Sequence, residues 1–207
     1  MAPFFIVVEG PEGAGKTTLV AGLAARMREA GHQGLEVREP GGTDGAEAAR
    51  DLVLDPARRW SPAAELFLIL AARAELVDKV IRPHLERGDR VVISDRFDLS
   101  TVAYQVAGRG LEREAVLAAN RLATGGLVPD VTLVLDLDPA EGRRRQQAQG
   151  KRPDRMEREH PAMHDRVARA FRDAGGAGIV HLDAALGPEE LANVAWDTVR
   201  KRLAGTP

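Results

Sequence analysis

The chain has 207 residues, and its 29 Lys and Arg against 31 Asp and Glu give a formal net charge of −2. A balance this even argues against a protein that binds nucleic acid or an acidic membrane through bulk charge. The chain has no cysteine, which excludes disulfides, thiolate catalysis and cysteine-bound zinc. At this length, one domain covering residues 1–207 is expected rather than two small ones.

The apolar segments are all short. The first, over 4–8, has no basic leader and is too short for the core of a signal peptide. No segment approaches the roughly 18 consecutive apolar residues of a membrane helix. We therefore expect a cytoplasmic protein that has no membrane anchor and no nucleic-acid partner.

Apolar runs alternate with amphipathic segments along the chain. In chain order, the predicted elements are a strand over 4–8, a helix over 17–30, a strand over 35–38, a helix over 43–54, a long helix over 62–86 that is kinked or interrupted before Pro83, a strand over 90–94, a helix over 111–123, a strand over 131–136, a helix over 139–149, a helix over 154–174 with an irregularity at Pro161, a strand over 178–183 and a helix over 188–203. Continuous apolar runs are typical of strands buried on both faces. The alternation predicts a three-layer α/β fold, in which helices cover both faces of a five-stranded parallel sheet.

Polar residues gather where the predicted strands end. Glu9 follows the first strand, Arg38 ends the second, Asp95 and Arg96 follow the third, and Asp183 ends the fifth. In a parallel sheet the carboxyl ends of the strands meet along one edge, and ligands bind there. These residues are therefore predicted to border one ligand cleft.

The segment after the first strand matches the phosphate-binding loop G-x-x-x-x-G-K-[ST]. A buried strand precedes it and an amphipathic helix follows it, which is the context that the motif requires. Glycines allow backbone N–H groups to converge on phosphate oxygens, and the helix N-terminus adds a favourable dipole. The residues predicted to bind ATP are Gly10, Pro11, Glu12, Gly13, Ala14, Gly15, Lys16, Thr17 and Thr18.

Residue type assigns further roles around the loop. Lys16 is predicted to contact the β- and γ-phosphates, and the Thr17 hydroxyl to bind Mg²⁺. Asp95 is predicted to hold the hydration shell of that ion and Arg96 to bind a phosphate, with a local ion pair as the alternative for both. Segment 38–43 has two successive glycines before a helix, which suits either an anion site or a loop with a helix cap.

Seven basic residues lie within 143–158, a segment that Gly150 and Pro153 interrupt. A run of charges is usually a solvated helix face, and most of these residues fit that description. The interruption nevertheless predicts a mobile lid insert, which would bring arginines over the phosphates and exclude water once the substrates are bound.

Taken together, these segments resemble bacterial thymidylate kinases, a family of nucleoside monophosphate kinases with a P-loop kinase fold. REPGGT at 38–43 and DRFDLSTVAYQ at 95–105 are more specific than the phosphate loop, which many nucleotide-binding proteins share. The other matching segments are VEGPEGAGKTT at 8–18, AARAELV at 71–77, PDVTLVLDLDP at 129–139 and DRMERE at 154–159. The resemblance covers most of the chain and implies transfer of the γ-phosphoryl group of ATP, bound with Mg²⁺, to dTMP.

The resemblance also implies how the phosphates are bound. Arg96 would hold the 5′-phosphate of the acceptor, and Arg38 would lie near it. The lid would supply two further arginines, so that the implied catalytic residues are Lys16, Arg96, Arg152 and Arg155. Because the phosphate loop contains Glu12 and no arginine, we hypothesise that Glu12 contacts a lid arginine.

A separate set of residues would bind the acceptor nucleoside. Arg73 would hydrogen-bond the thymine edge, and Tyr104 would crowd the ribose 2′ position and so favour a deoxynucleotide. The full implied set is Glu9, Ile69, Arg73, Thr101, Tyr104 and Gln105. The family usually has an aromatic residue where this chain has Ile69, and an aliphatic contact loses a stacking term of roughly 0.5–1.5 kcal/mol. A plain core role for Ile69 is the alternative.

Three other functions are compatible with a phosphate loop: a related kinase for another nucleotide or nucleoside, a nucleotide-sensing protein without transferase activity, and a nucleic-acid-dependent ATPase. A sensing protein has no need of an acceptor site, and the even charge argues against the ATPase. Thymidylate kinases are commonly homodimers, and the predicted helix that begins at Pro62 is the expected interface.

Overall fold

Five parallel strands form the centre of the computed structural model, which describes residues 3–88, 90–148, 150 and 152–205. The strands are β1 Phe4–Glu9, β2 Gly34–Arg38, β3 Val91–Asp95, β4 Val131–Asp136 and β5 Ile179–Asp183. Their order across the sheet is β2-β3-β1-β4-β5, so β1 lies in the middle, paired with both β3 and β4. The predicted five-stranded parallel sheet is confirmed.

Helices connect the strands and cover the sheet. The α-helices are α1 Lys16–Glu29, α2 Asp44–Leu54, α3 Pro62–Leu76, α4 Arg82–Leu85, α5 Asp98–Thr101, α6 Arg113–Thr124, α7 Pro139–Ala148, α8 Pro161–Arg172 and α9 Pro188–Gly205. Two π-helical segments, Val77–Ile81 and Val102–Gly108, continue α3 and α5. Within the described part of the chain, no helix has the length and apolar character needed to cross a bilayer.

The central strand explains why the sheet is covered on both sides. All six residues of β1 are buried, and successive side chains of a strand point to opposite faces. Phe4, Ile6 and Val8 pack into the core that includes residues of α1 and α9. Phe5 and Val7 pack on the other face, in a cluster with Leu76, Ile81 and Phe97. The continuous apolar run at 4–8 therefore fills two cores, as the predicted three-layer arrangement requires.

Pro83 explains the interruption of the long helix predicted over 62–86. α3 ends at Leu76, the π-helical segment spans Val77–Ile81, and α4 begins at Arg82. Proline has no N–H to donate, and its ring crowds the preceding turn, so a regular hydrogen-bond ladder cannot pass through it. The wider π turn accommodates this defect, and the predicted interruption is confirmed.

Two segments differ from the predicted helices. The helix predicted over 154–174 begins only at Pro161, because His160 caps it and residues before a proline avoid helical geometry. Reciprocal bonds between the Asp154 and Glu157 backbone N–H groups and each other's carboxylates hold the preceding turn. The helical segment 98–108 was not predicted, since β-branched and aromatic residues dilute its helical pattern. The predicted helix end at Gln149, and Lys151, lie outside the described residues.

Candidate active site

A cleft of about 700 Å³ lies beyond the carboxyl ends of the strands. The phosphate loop borders one side, and residues of α3, the end of β3 and the segment after it border the other. The predicted site residues that line this cleft are Glu12, Gly13, Gly15, Lys16, Thr17, Thr18, Arg38, Ile69, Arg73, Asp95, Arg96, Thr101, Tyr104 and Gln105. The topology therefore brings most of the predicted donor and acceptor residues to one place.

Glycine is required at two positions of the phosphate loop. Gly10 has a φ of +143°, and a Cβ there would lie 2.8 Å from the backbone oxygen of Leu135 on β4. Gly13 has a φ of +76°, and a Cβ there would collide with the backbone of Gly142 on α7. The loop thus approaches two other backbones closely, which only residues without a side chain allow.

Lys16 folds back over the loop that precedes it. Its Nζ donates to the carbonyl oxygens of Gly10 at 3.1 Å and Pro11 at 2.7 Å. Burial, followed by repulsion from Arg96, lowers the pKa of Lys16 to about 8. A cation held in this way, with weak neutral acceptors, is suited to exchange them for phosphate oxygens, which bind it more strongly and restore its charge.

Thr17 and Asp95 come together because β1 and β3 are neighbours. Val8 is in register with Asp95, and the Thr17 hydroxyl donates to Asp95 Oδ2 at 2.6 Å. Within the described residues, no group of three or more His, Cys, Asp or Glu is placed to hold a metal ion. The hydroxyl and carboxylate oxygens fit Mg²⁺, which uses few protein ligands when it also binds nucleotide phosphates and water.

Arg96 has an unusual backbone at the end of β3. Its φ is +78°, the only positive value at a described non-glycine residue, and such strain is typical of functional sites. Ser94 Oγ donates to the Arg96 carbonyl at 2.7 Å and helps to hold this conformation. The guanidinium then reaches into the cleft, where it donates to Ser100 Oγ at 3.0 Å and pairs with Glu12.

Glu12 meets Arg96 instead of the lid arginine that the sequence suggested. Its carboxylate also accepts from the Tyr104 hydroxyl at 2.8 Å. Burial opposes ionisation of Glu12, but Arg96, and then Lys16 and Tyr104, outweigh burial and hold the pKa of Glu12 at about 2. An ionised Glu12 therefore occupies the position beside Arg96 where a phosphate would also bind.

Arg73 is a buried member of a hydrogen-bond network at the wall of the cleft. Its guanidinium donates to Glu39 at 2.7 Å, to Thr101 at 2.7 Å, to Asn120 at 2.5 Å and to the Phe97 carbonyl at 2.8 Å. A guanidinium has five N–H donors, so these four bonds leave one for a ligand. The other oxygen of Glu39, Oε1, is buried without a hydrogen-bond partner among the described residues.

The structure shows the surroundings of Ile69 and of segment 38–43, for which the sequence allowed two roles each. Ile69 lines the cleft, whereas the side chain of Phe67, two residues earlier on α3, is 63% exposed. Thr43 is a helix cap, since its hydroxyl accepts from the Ala46 N–H at 3.1 Å. The adjacent Gly42 N–H donates to the Glu47 carboxylate at 2.7 Å, so an anion from the chain itself occupies that site.

Glu9 does not line the cleft. Its carboxylate is fully buried and accepts from the Phe97 N–H at 2.8 Å, the Ser100 N–H at 2.9 Å and the Ser100 hydroxyl at 2.6 Å. Burial outweighs the influence of Arg96 and these hydrogen bonds and raises the pKa of Glu9 to about 7. Glu9 thus holds the start of α5 beneath the cleft, instead of lining a sugar pocket.

The lid arginines are also outside the cleft in this structure. Arg155 is buried, and its guanidinium donates to the Val53 carbonyl at 2.6 Å and to Glu65 at 2.7 Å. Arg152 is exposed. The lid segment instead contributes Gln146, Asp154, Met156 and Glu157 to the cleft wall.

The sequence assigned no role to the residues that support the acceptor side. Glu39, Asn120 and Ser100 bind Arg73 or Arg96, and Glu65 binds Gln105 at 2.9 Å. Glu39 and Ser100 belong to the matching segments 38–43 and 95–105, whereas no recognisable spacing marks Asn120 or Glu65. A buried acidic residue in the first turn of α3, such as Glu65, is the only one whose position could have suggested an unusual role.

Comparisons with known proteins identify the family. A family model described as thymidylate kinase matches residues 8–194. A thymidylate kinase of Deinococcus radiodurans is 46% identical over 201 residues, covering 96% of this chain and 97% of its own. One from a Synechococcus species (strain JA-3-3Ab) is 48% identical and covers 96% of each chain. One from Cereibacter sphaeroides is 44% identical over 99% of this chain and 97% of its own. The chain belongs to the thymidylate kinase family.

Proposed function

We propose how the cleft binds the two substrates of a thymidylate kinase. As a member of this family, the chain transfers the γ-phosphoryl group of ATP to dTMP, giving dTDP and ADP. The observation that supports the placement is that Lys16, from the phosphate loop, and Arg96, from the end of β3, line the same cleft of about 700 Å³. This volume falls within the range of roughly 300–1,000 Å³ that is typical of small-molecule clefts.

ATP binds the donor side. Backbone N–H groups of residues 10–18 surround its phosphates, and Lys16 exchanges its two carbonyl acceptors for β- and γ-phosphate oxygens. Thr17 and Asp95 would hold Mg²⁺, which neutralises charge between the phosphates when bound. The 2.6 Å bond between these two side chains supports this placement.

The dTMP phosphate binds at Arg96. A phosphate oxygen there replaces the carboxylate of Glu12, an anion that Arg96 and Lys16 already attract to this position. The Tyr104 ring, 5.2 Å from the Arg96 guanidinium, crowds the ribose, and Arg38 lies near the phosphate. Because the acceptor phosphate is itself an anionic nucleophile, transfer proceeds in line and requires no covalent protein intermediate.

The base lies against α3 and the segment after it. Ile69 forms an apolar wall, and Arg73 offers its remaining N–H to a carbonyl of thymine. Thr101 and Gln105 complete this side. Arg73 and Gln105 are each fixed by buried partners, so the polar groups that face the base are oriented before it binds, which is how a site discriminates against the wrong base.

Arg152 and Arg155 act from the lid insert over 143–158. Arg155 reaches the phosphates only if it leaves Glu65 and Val53, and Arg152 is already exposed. Closure of the lid places positive charge over the transferring group and excludes water, which would otherwise turn the kinase into an ATPase.

The chain forms a homodimer through α3 and α6. These helices pack against each other through Leu66, Leu70 and Val116. Phe67 on α3 is 63% exposed and Leu122 on α6 is 86% exposed, so each of these two helices in contact carries a large apolar side chain that a second copy of the chain would cover. Sedimentation of wild type as a dimer and of Phe67→Asp as a monomer would support this interface; a monomeric wild type contradicts it.

One domain over residues 1–207 and a cytoplasmic location stay predictions from the sequence.

A substrate panel tests the activity. The protein is incubated with ATP, Mg²⁺ and dTMP, dUMP, dCMP, dGMP or dAMP, and the nucleoside diphosphates are quantified directly. We expect dTDP to be the main product. Formation of ADP and inorganic phosphate without any deoxynucleoside diphosphate would favour the nucleotide-sensing alternative, and a different main product would favour a related kinase.

A further inference from the structure

A carboxylate with no role in the proposed transfer lies directly behind the base side of the cleft. Glu65, in the first turn of α3, is fully buried. It accepts hydrogen bonds from Gln105 Nε2 at 2.9 Å, from Arg109 at 3.0 and 2.6 Å and from Arg155 at 2.7 Å. Four N–H donors from three residues thus converge on one side chain.

These partners keep Glu65 ionised. Burial opposes the charge, but the hydrogen bonds from Arg109, Gln105 and Arg155 outweigh it and lower the pKa of Glu65 below its ordinary value. Two guanidinium groups within hydrogen-bond distance compensate a buried carboxylate well. An ionised carboxylate has no proton to donate, so each of its contacts must come from a donor.

The ionised carboxylate determines which way the Gln105 amide points. Only the NH₂ group of Gln105 can donate to Glu65, so the carbonyl oxygen is the end that remains for the cleft, which Gln105 lines. Among the residues that the structure describes, no donor bonds that oxygen. The base therefore meets a fixed hydrogen-bond acceptor and not a freely rotating amide.

A fixed acceptor distinguishes two pyrimidines of the same size. Thymine carries an N–H donor at N3, whereas cytosine has a lone pair at N3 and an amino group at C4. We propose that Glu65 is a specificity-determining residue, which positions the Gln105 amide so that a base with an N3–H donor is favoured over cytosine. This inference rests on the proposed placement of Gln105 against the base. Glu65 acts through Gln105 and does not touch the substrate.

Glu65→Gln tests the proposal because it keeps the volume and removes the charge. A neutral amide can both donate and accept, so Gln105 becomes able to turn and present its NH₂ to cytosine N3. The values of kcat/KM for dTMP and dCMP are measured with ATP, and Kd values for both by calorimetry. We expect the dTMP preference to fall about tenfold or more, the scale of one buried hydrogen bond lost or gained. If the role of Glu65 is purely structural, the substitution lowers kcat/KM for dTMP and for dCMP by the same factor and leaves their ratio unchanged.

Two further variants keep the test decisive. Glu159→Gln removes the other carboxylate that binds Arg109, at 2.6 Å, without touching Gln105, and should leave the ratio unchanged. Glu65→Asp keeps the charge near both arginines and withdraws it from Gln105, so it carries the test if thermal unfolding shows that Glu65→Gln does not fold. An unchanged ratio in a folded Glu65 variant overturns the proposal while wild-type dTMP kinase activity stands. Failure of wild type to phosphorylate dTMP overturns the proposed function and this inference together.

Discussion

The donor and acceptor sides of the cleft are built in different ways. The donor side is one continuous segment, residues 10–18, in which backbone groups and Lys16 face the nucleotide. The acceptor side takes its side chains from α3, the end of β3 and the π-helical segment Val102–Gly108. Its cations are fixed by buried acids, such as Glu39 on Arg73 at 2.7 Å. The donor side therefore depends on one charge and a few glycines, whereas the acceptor side depends on a network.

This difference determines how mutations act. A backbone N–H stays in place when side chains change, so the donor side responds strongly only to loss of Lys16 or of a required glycine. On the acceptor side, removing one member of an ion pair leaves the other charge buried and unpaired, which costs about 3–5 kcal/mol. Substitutions there should therefore affect stability and selectivity together, and four predictions test this contrast.

Lys16→Ala has the largest expected effect on activity with almost none on the fold. Within the described part of the chain, Lys16 hydrogen-bonds only the Gly10 and Pro11 carbonyl oxygens. Glu12, which Lys16 also attracts, keeps Arg96 as its partner when Lys16 is lost. We expect kcat for dTDP formation to fall about 10²–10³-fold, the cost of one preorganised charge at a phosphoryl group. The midpoint temperature of thermal unfolding should be unchanged or higher. A nearly normal kcat would contradict the role assigned to Lys16.

Arg96→Lys separates charge from geometry on the acceptor side. A lysine keeps the charge but cannot contact Glu12, Ser100 and a phosphate through one planar fork. We expect kcat/KM for dTMP to fall on the order of a hundredfold, with the Kd for ATP little changed. Arg50→Lys is the matched control, because Arg50 also lines the cleft but donates to the Pro40 carbonyl at 2.7 Å. Equal effects of the two substitutions on dTMP would show that Arg96 has no special role.

Glu9→Gln tests whether the acid beneath the acceptor side is structural. The pKa of Glu9 is raised from 4.5 to about 7, so between these values the folded protein binds more protons than the unfolded chain. Linkage then predicts that wild-type stability falls, relative to the variant, as pH rises from 4.5 to 7, by on the order of 3 kcal/mol. Urea unfolding of both proteins across this window provides the comparison. Parallel pH curves would mean that the Glu9 carboxylate is ionised throughout.

Ile69→Phe has the smallest expected effect and concerns binding alone. If Ile69 faces the base, an aromatic ring adds a stacking term of roughly 0.5–1.5 kcal/mol, and the Kd for dTMP falls about 2- to 10-fold. Calorimetric titration with dTMP measures this directly, and Ile69→Leu serves as the control of similar volume. Unchanged or weaker binding by the phenylalanine variant argues for the plain core role.

The sequence predicted the donor side well because that side is local. The glycine spacing, the apolar run before it and the helix after it are all contained in residues 4–30, and the structure has β1 and α1 in these places. The prediction of an interruption before Pro83 succeeded for the same reason, since the missing N–H is a property of one residue. Family resemblance added Arg73, Tyr104 and Gln105, which do line the cleft.

The contacts that the sequence did not predict all join residues that are far apart along the chain. Glu9 was expected at the sugar, but its carboxylate accepts hydrogen bonds from residues 97 and 100, which follow β3 along the chain. Glu12 was expected to meet a lid arginine and instead pairs with Arg96, 84 residues away along the chain. Arg155 is bound to Glu65, 90 residues away, a partner that the sequence did not suggest, while its role over the phosphates stays a prediction. No periodicity connects such residues, because their proximity is a consequence of strand order and helix packing.

By itself, the sequence determined that the chain forms a parallel α/β sheet with a phosphate loop at the end of its first strand, since hydrophobic period, glycine and proline act over a few residues. Only the tertiary structure decided which acid contacts which arginine. It therefore also decided that Glu9 supports the site from beneath, that Glu12 occupies the position beside Arg96 and that Glu65 orients Gln105. The physical reason is that burial and charge pairing determine whether a carboxylate is ionised, and both depend on neighbours that the fold supplies.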